Sequence, residues 1–314
     1  MVALALLALA GLAVANPVQV PLTPPPAAAA ANPRPLVIWH GLGDTAHSEG
    51  MDAFADRVKE LHPGIFVHSV IVPEGGSPGD ERNAGWWGKA EELAQQGCDQ
   101  IADIEELQDG FDAIGFSQGG LFLRYCAQYS DGPAMRNLIT FGSPHFGIAA
   151  LIPCPDPPTL SCRLAARAAR SGIYTSWAQS HLVQAAYYRD PARLDEFLLA
   201  NTFMRNMNGE GLLDDEDAGN GLGHLENMVA IAFTEDKTVF PGLSAHWATV
   251  DPEDTTVVVE LGDQQLYTED WIGLRALNET GHLILDWCPG EHMQIGGDGG
   301  CGDQMVEKWV GWKK

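Results

Sequence analysis

The stretch Gly115-Phe116-Ser117-Gln118-Gly119-Gly120 decides the fold of this chain. The residues before it, Phe111 to Ile114, predict a short buried strand, and the residues after it, Leu121 to Gln128, predict a helix with an apolar stripe. A strand that turns sharply into a helix holds its turn residue at strained dihedral angles and needs glycine on either side. The hydroxyl of Ser117 is therefore predicted to stand at the carboxyl edge of a sheet, as a nucleophile beside a helix N-terminus.

Strands and helices alternate on both sides of this turn. Strands are predicted at residues 36–39, 65–72, 111–114, 138–141, 227–233 and 283–287, and helices at 51–61, 91–107 and 121–128. The alternation predicts an α/β fold with a mostly parallel central sheet flanked by helices. Between about residues 148 and 224 the alternation stops, and helical segments are predicted at 164–169, 174–188 and 194–207. They form a predicted insertion, or cap, over the carboxyl edge of the sheet.

The N-terminal region is typical of a secreted protein. Residues 1–15 form an apolar run that ends in Ala13-Val14-Ala15, the pattern of a signal peptide and its cleavage site. No later stretch of about 20 apolar residues exists, so a transmembrane anchor is not expected. The sequon Asn278-Glu279-Thr280 predicts glycosylation on the same route. The expected organisation is a signal peptide at 1–15, a Pro/Ala-rich leader at 16–35, a core at 36–147 and 225–314, and the helical insertion at 148–224.

The net charge disfavours two classes of partner. Acidic residues outnumber basic ones by 42 to 18, which gives a formal net charge of −24. Such a surface repels nucleic acid and anionic membranes, so neither is an expected partner.

The cysteines are predicted to form disulfides. Their number is even and the chain carries a secretory signal, which favours disulfides over metal ligands. Several pairings are possible. Proximity in sequence favours Cys154 with Cys162 and Cys288 with Cys301, which leaves Cys98 with Cys126.

Two residues downstream of Ser117 are predicted to complete a catalytic triad. Asp236 directly follows the strand at 227–233, and His292 follows the strand at 283–287 in a loop. They are interpreted as the acid and the general base, in the chain order Ser, Asp, His of α/β-hydrolases. Glu235 is the neighbouring alternative for the acid, and acids further from a strand are Asp251, Asp254 and Asp263.

An oxyanion hole is predicted from two backbone N–H groups. The first strand runs into His40-Gly41-Leu42-Gly43, where α/β-hydrolases keep their second oxyanion donor. The N–H of Leu42 would join that of Gln118. His40 is interpreted either as an orienting residue or as a loop histidine bonded to backbone, and not as the base.

Together these residues resemble the palmitoyl-protein thioesterases, over about residues 34 to 295. The segments that carry the resemblance are Trp39–Asp44, Gly115–Gly120, the spacing of Cys154 and Cys162, His181–Pro191, Leu266–Asp270 and Gly290–Gln294. The resemblance implies an α/β-hydrolase that removes long-chain fatty acyl groups from S-acylated cysteines of proteins or peptides, without metal or cofactor. It also implies a lysosome-like or secreted location, and it places Ser117, Asp236, His292, Leu42 and Gln118 on the family's triad and oxyanion donors.

Two alternatives stay open at this point. Gly142-Ser143-Pro144-His145 is similar to ordinary lipases and favours a lipase or carboxylesterase. A non-catalytic lipid-binding protein on the same fold is the other alternative. For the thioesterase, the insertion is expected to supply an apolar groove for the acyl chain, with Val183 and Leu198 facing it.

Overall fold

The computed structural model describes residues 32–151, 163, 172–211, 219–297 and 299–312. A six-stranded sheet forms its centre, in the order β2-β1-β3-β4-β5-β8, and every neighbouring pair is parallel. Its strands are β1 (Leu36–Trp39), β2 (Val67–Ser69), β3 (Phe111–Phe116), β4 (Met135–Phe141), β5 (Asn227–Phe233) and β8 (Leu283–Cys288). A separate antiparallel pair consists of β6 (Thr249–Val250) and β7 (Val258–Val259). The α/β-hydrolase architecture expected from the alternation is confirmed.

Helices cover both faces of the sheet. They are α1 (Glu49–Leu61), α2 (Pro78–Ala84), α3 (Ala90–Ala102), α4 (Gln118–Tyr129), α5 (Ser176–His181), α6 (Leu194–Ala200), α7 (Phe203–Asn208), α8 (Gln265–Thr268), α9 (Leu274–Glu279) and α10 (Cys301–Trp309). Across the described residues, no helix is long and apolar enough to cross a membrane.

Alternation along the strands explains the two apolar layers of the core. In β3, Phe111 and Ala113 face the layer that also holds residues of α3 and α4, while Ile114 and Phe116 face the layer that holds residues of α1 and α10. Successive side chains of a strand point to opposite faces of the sheet. A central strand that is covered by helices on both faces is therefore apolar along most of its length. The one charged residue of β3, Asp112, is fully buried and accepts a hydrogen bond from Arg34 at 2.8 Å.

The insertion differs in detail from the predicted helices. The helix expected at 174–188 is α5 followed by a 3-10 turn at Val183–Tyr187, and the one expected at 194–207 is divided into α6 and α7. Asn201 causes the second break, because its side chain donates to the carbonyl of Ala186 at 2.7 Å and accepts from the N–H of Arg205 at 3.1 Å. The segment predicted at 164–169 lies outside the described residues.

Two predicted elements are shorter than expected. Strand β2 spans three residues instead of 65–72; it is an edge strand, and short edges limit unwanted pairing. The helix predicted at 91–107 ends at Ala102 and is followed by a 3-10 turn at Glu105–Leu107. Leu107 is fully buried in the core layer that holds residues of α3 and α4. Helix α2 was not predicted, although Ser77 and Asp80 form its capping box.

Disulfides join Cys98 to Cys126 and Cys288 to Cys301. The first connects α3 to α4, and the second connects the end of β8 to the start of α10. Cys154 and Cys162 lie outside the described residues, so their pairing stays a prediction.

Candidate active site

Ser117 lies at the tip of a sharp turn between β3 and α4. Its backbone angles are φ 50° and ψ −119°, a conformation that costs a residue with a side chain about 1–3 kcal/mol. The turn is held by hydrogen bonds from the N–H of Ser117 to Phe141 and from the N–H of Gly120 to Ser117, at 2.8 and 3.1 Å. The strained turn points the hydroxyl out of the sheet and into a cavity that Ser117 lines.

Glycines make this turn possible through close backbone packing. A Cβ on Gly119 would lie 2.4 Å from the carbonyl oxygens of both Trp39 and His40. A Cβ on Gly115 would lie 2.3 Å from the Cα of Gly120. Any side chain at these positions would therefore push helix α4 away from the sheet.

His292 joins the serine to a carboxylate. Its Nε2 lies 3.1 Å from Ser117 Oγ, and its Nδ1 lies 2.6 Å from Asp236 Oδ2. The carboxylate is itself fixed, because its Oδ1 accepts the N–H groups of Thr238 and Val239 at 2.8 and 2.9 Å. The side chain of Asp236 is only 1 % exposed, so the pair is shielded from water.

The other candidate acids lie elsewhere. Glu235 follows the same strand but its side chain is exposed. The side chains of Asp251 and Asp254 accept hydrogen bonds from nearby backbone N–H groups, those of Glu253 and Thr256 respectively. Asp263 ends the 3-10 turn Leu261–Asp263. The carboxylate that the structure brings to His292 is that of Asp236, and not one of these four.

The residue after β4 must be glycine because it lies against the imidazole of His292. Gly142 follows β4 with φ 60°, and a Cβ there would lie 2.9 Å from Cε1 of His292 and 3.0 Å from Cε of Met293. The next residues of the lipase-like segment point inward: Ser143 and His145 are both fully buried. His145 stacks on Trp247 with 4.3 Å between ring centroids, and burial lowers its pKa well below the usual value. The segment is buried in the core and does not line the cavity in front of Ser117.

The predicted oxyanion donors belong to two segments that meet at Ser117. Gln118 is the first residue of α4, and the first N–H groups of a helix have no partner within it. Gly41 approaches the turn so closely that a Cβ on it would lie 3.3 Å from both Phe116 O and Ser117 Cβ, and Leu42 follows it in the lining of the same cavity.

His40 holds the loop that carries Leu42. Its Nδ1 donates to the carbonyl of Gly41 at 2.9 Å, and its Nε2 lies 3.5 Å from Glu81 Oε2. The buried Glu81 also accepts the N–H of Ala46 at 2.8 Å, so helix α2 is tied to the same loop. The structure therefore supports the interpretation of His40 as a loop histidine bonded to backbone.

A buried tyrosine of the insertion contacts the turn, and sequence reasoning missed this role. Tyr187 is fully buried and its hydroxyl donates to the side-chain oxygen of Gln118 at 2.9 Å. Burial raises the pKa of Tyr187, which keeps it a neutral donor. Its sequence neighbourhood contributed to the family resemblance, but no local pattern indicates the contact.

The cavity in front of Ser117 is an apolar groove of about 1180 Å³. Its apolar lining includes Met51 and Phe54 of α1, Met293 and Ile295. The charged side chains in the lining are Asp44, Arg57, Asp80, Arg82 and Asp303. That the insertion supplies the acyl-binding groove stays a prediction, but the two positions chosen for it do not line this cavity. Val183 is fully buried in the core and Leu198 packs against the same core, and neither lines the groove. No described residue of the insertion lines it, because the 172–211 part of the chain packs against α3 and α4.

Comparison of the sequence with known protein families identifies the family of this chain. The family model described as palmitoyl protein thioesterase matches residues 35–292. The chain belongs to the palmitoyl protein thioesterase family. Among members of this family, it is 38% identical over 263 residues to the palmitoyl-protein thioesterase-dolichyl pyrophosphate phosphatase fusion 1 of Schizosaccharomyces pombe. That match covers 83% of this chain and 41% of the fusion protein, so the chain spans less than half of that relative.

Two further relatives in the family are matched over most of their length. Palmitoyl-protein thioesterase 1 of Caenorhabditis elegans is 32% identical, with 83% of this chain and 87% of the relative covered. Palmitoyl-protein thioesterase 3 of Dictyostelium discoideum is 30% identical, with 80% of this chain and 82% of the relative covered.

Proposed function

We propose that this chain hydrolyses long-chain fatty acyl thioesters on S-acylated cysteines of proteins or peptides. The observation that carries the proposal is the hydrogen-bonded series Ser117, His292 and Asp236, which opens into an apolar groove in a member of this family. A long acyl chain gains about 0.8 kcal/mol for each methylene it buries, so a groove of this size favours long chains.

The geometry supports acyl transfer in two steps. His292 Nε2 takes the proton of Ser117 Oγ across 3.1 Å while Asp236 keeps the ring oriented and stabilises its charged form. Ser117 then attacks the thioester carbonyl, and the N–H groups of Leu42 and Gln118 stabilise the oxyanion. The thiolate leaves and takes up the proton that His292 holds. The neutral His292 then takes a proton from water, which attacks the acyl-serine, and returns that proton to Ser117 Oγ as the fatty acid leaves.

The thiolate is a good leaving group, so protonation of the leaving atom matters less than it does for an amide. Orientation of the carbonyl and stabilisation of its oxyanion therefore account for most of the rate. No described residue needs to change position for the first proton transfer.

The location is proposed to be the lysosome or vacuole, or the extracellular space. The apolar run at 1–15 supports entry into the secretory pathway, and relatives include a protein named lysosomal thioesterase in Drosophila melanogaster. Asn278, the proposed glycan acceptor, is exposed at the end of α9.

The decisive experiment compares a palmitoyl thioester with its oxyester and with acetyl and butyryl analogues. We expect turnover of the palmitoyl thioester by the purified protein and none by Ser117→Ala, whose folding is checked by circular dichroism. A phosphonate that labels active serines should modify the wild-type protein and not the variant.

The alternatives predict different results in the same assay. Fastest turnover of short oxyesters would identify a carboxylesterase, and absence of phosphonate labelling would identify a non-catalytic lipid-binding protein. The lipase-like Gly142-Ser143-Pro144-His145 segment does not favour the first alternative, since Ser143 and His145 are buried away from the groove.

A further inference from the structure

A second cavity, of about 360 Å³, lies along β8, the edge strand of the central sheet. Leu283, Leu285 and Trp287 line it from the strand, since alternate residues of a strand point to the same face. We call this cavity the β8 groove. In the part of the chain that the structure describes, it shares no lining residue with the cavity in front of Ser117.

Two large apolar side chains of the β8 groove are exposed to solvent. Leu285 is 41 % exposed and Trp287 is 45 % exposed. The indole of Trp287 is held edge-on against the ring of His246, with 5.0 Å between ring centroids. Nε2 of His246 lies 3.1 Å from the carbonyl oxygen of Ala230 and 3.0 Å from that of Asp286, which fixes the ring. Exposed apolar side chains on an edge strand promote association with other chains unless they are covered.

The proposed glycan acceptor lies in the lining of the same groove. The side chain of Asn278 is exposed, and its Nδ2 donates to the hydroxyl of Tyr267, another lining residue, at 2.5 Å. Asn278-Glu279-Thr280 is the only Asn-x-Ser/Thr sequon in the sequence, so an N-linked glycan on this chain is attached at Asn278. A glycosylated asparagine keeps one hydrogen on Nδ2, which is enough to retain the contact with Tyr267.

We propose that the glycan on Asn278 packs its first N-acetylglucosamine into the β8 groove and covers Trp287. The inference rests on the proposed route through the secretory pathway and not on the thioesterase activity. In the attachment step, Asn278 Nδ2 forms a bond to the anomeric carbon of a lipid-linked oligosaccharide pyrophosphate. The bond from that carbon to the phosphate oxygen breaks, the amide loses one proton, and the lipid pyrophosphate leaves.

The chemistry of the lining suits this sugar. The C–H groups of a pyranose ring and the methyl of its acetamide pack against aromatic and aliphatic side chains, here Trp287 and Leu285. Glu260, exposed and also in the lining, supplies a carboxylate that accepts from sugar hydroxyls. The covalent bond to Asn278 holds the sugar at the groove, so packing there costs little of the freedom that a free ligand loses.

The test compares thermal unfolding of the secreted protein with and without the glycan. Thr280→Ala removes the sequon but keeps Asn278, and Thr280→Ser, which keeps the sequon, is the matched control. We expect Tm to be lower in Thr280→Ala than in Thr280→Ser by about 2–4 °C. In a Trp287→Ala background the difference should be less than half as large, because the sugar has lost its main contact.

The two backgrounds separate the glycan from the side effects of the substitution. Thr280→Ala also removes a hydrogen bond from Thr280 Oγ1 to the carbonyl of Ala276, 2.8 Å long, but this loss is common to both backgrounds and cancels. If Trp287→Ala does not fold, Leu285→Thr replaces it, because this exposed side chain lines the same groove.

Trimming of the glycan provides a second measurement that leaves Trp287 in place. The protein is produced in a host that attaches high-mannose glycans, and an endoglycosidase then leaves one N-acetylglucosamine on Asn278. Tm should not change, because the first sugar fills the groove. Complete removal by an amidase, which converts Asn278 to Asp, should lower Tm as Thr280→Ala does.

A fall in Tm that depends on Trp287 and is absent after trimming to one sugar supports the proposal. It is overturned by an equal fall in both backgrounds, by a fall on trimming to one sugar, or by mass spectra that show Asn278 unmodified. A dimer of the glycosylated protein that Trp287→Ala dissociates would place a second copy in the groove and also overturn it.

The proposed function is tested separately in the same samples. Turnover of a palmitoyl thioester, measured well below Tm, should be equal with and without the glycan, because the β8 groove and the Ser117 cavity share no described lining residue. Absence of Ser117-dependent hydrolysis in every sample would overturn the proposed function and leave the glycan contact standing.

Discussion

Replacement of Tyr187 by Phe removes one oxygen atom from a fully buried contact with the turn that carries Ser117. The lost hydrogen bond, 2.9 Å to the side-chain oxygen of Gln118, leaves that oxygen without this donor in the core. An unsatisfied buried acceptor costs about 1–3 kcal/mol of stability. For a chain of this size, about 1 kcal/mol corresponds to a fall in Tm of roughly 2–4 °C, so we expect a fall of several degrees.

The effect on catalysis should exceed the effect on substrate binding. Gln118 carries a proposed oxyanion donor, and complete loss of such a donor costs about 10²–10³-fold in kcat. A donor that stays in place but is less well oriented should cost less, and we expect kcat to fall about tenfold with KM nearly unchanged.

The assay is steady-state turnover of a palmitoyl thioester together with thermal unfolding. Tyr188→Phe is the matched control, because the neighbouring tyrosine is only partly buried and the turn does not use its hydroxyl. A lower Tm with unchanged kcat would show that Tyr187 stabilises the fold without orienting the oxyanion donor, and would refute the reasoning.

The remaining predictions concern the triad, the turn, the groove and pH. Asp236→Asn should lower kcat by about 10⁴-fold while Glu235→Gln leaves it near the wild-type value, and the reverse order would identify the wrong acid. Gly119→Val should abolish both activity and native folding by circular dichroism, because its side chain meets two carbonyl oxygens; a folded, active variant would contradict this. Ala53→Trp, at an exposed position that lines the groove, should lower kcat/KM for palmitoyl more than for butyryl thioesters, and an equal loss would place the acyl chain elsewhere. Burial lowers the pKa of His145 in the folded protein, so below the ordinary pKa of about 6.5 the unfolded chain binds a proton that the folded chain does not. The free energy of unfolding should therefore fall as the pH drops below about 6.5, by up to about 1.4 kcal/mol per pH unit. Urea unfolding at pH 7 and at pH 5 should show a smaller fall in this free energy for His145→Gln than for the wild-type protein.

Local sequence determined the turn and most of the sheet. The glycines around Ser117 leave few conformations other than a sharp strand-to-helix turn, and the apolar runs of β1, β3, β4, β5 and β8 leave few alternatives to buried strands. Loops that follow such strands meet at one edge of the sheet, which is why Asp236 and His292 were predictable from their positions alone.

Tertiary structure decided the groove and the contacts of the insertion. Val183 and Leu198 have the apolar character of groove residues, but the same pattern suits a helix packed on the core, and they pack there. The cavity in front of Ser117 is lined by residues of α1, of α2 and of the segment that ends in Asp303, which are far apart in the chain. The periodicity of apolar residues predicts which face of a helix is buried, but it does not identify the segment that covers that face. Contacts between distant segments, such as that of Tyr187 with Gln118, are therefore decided by the packing of the whole chain.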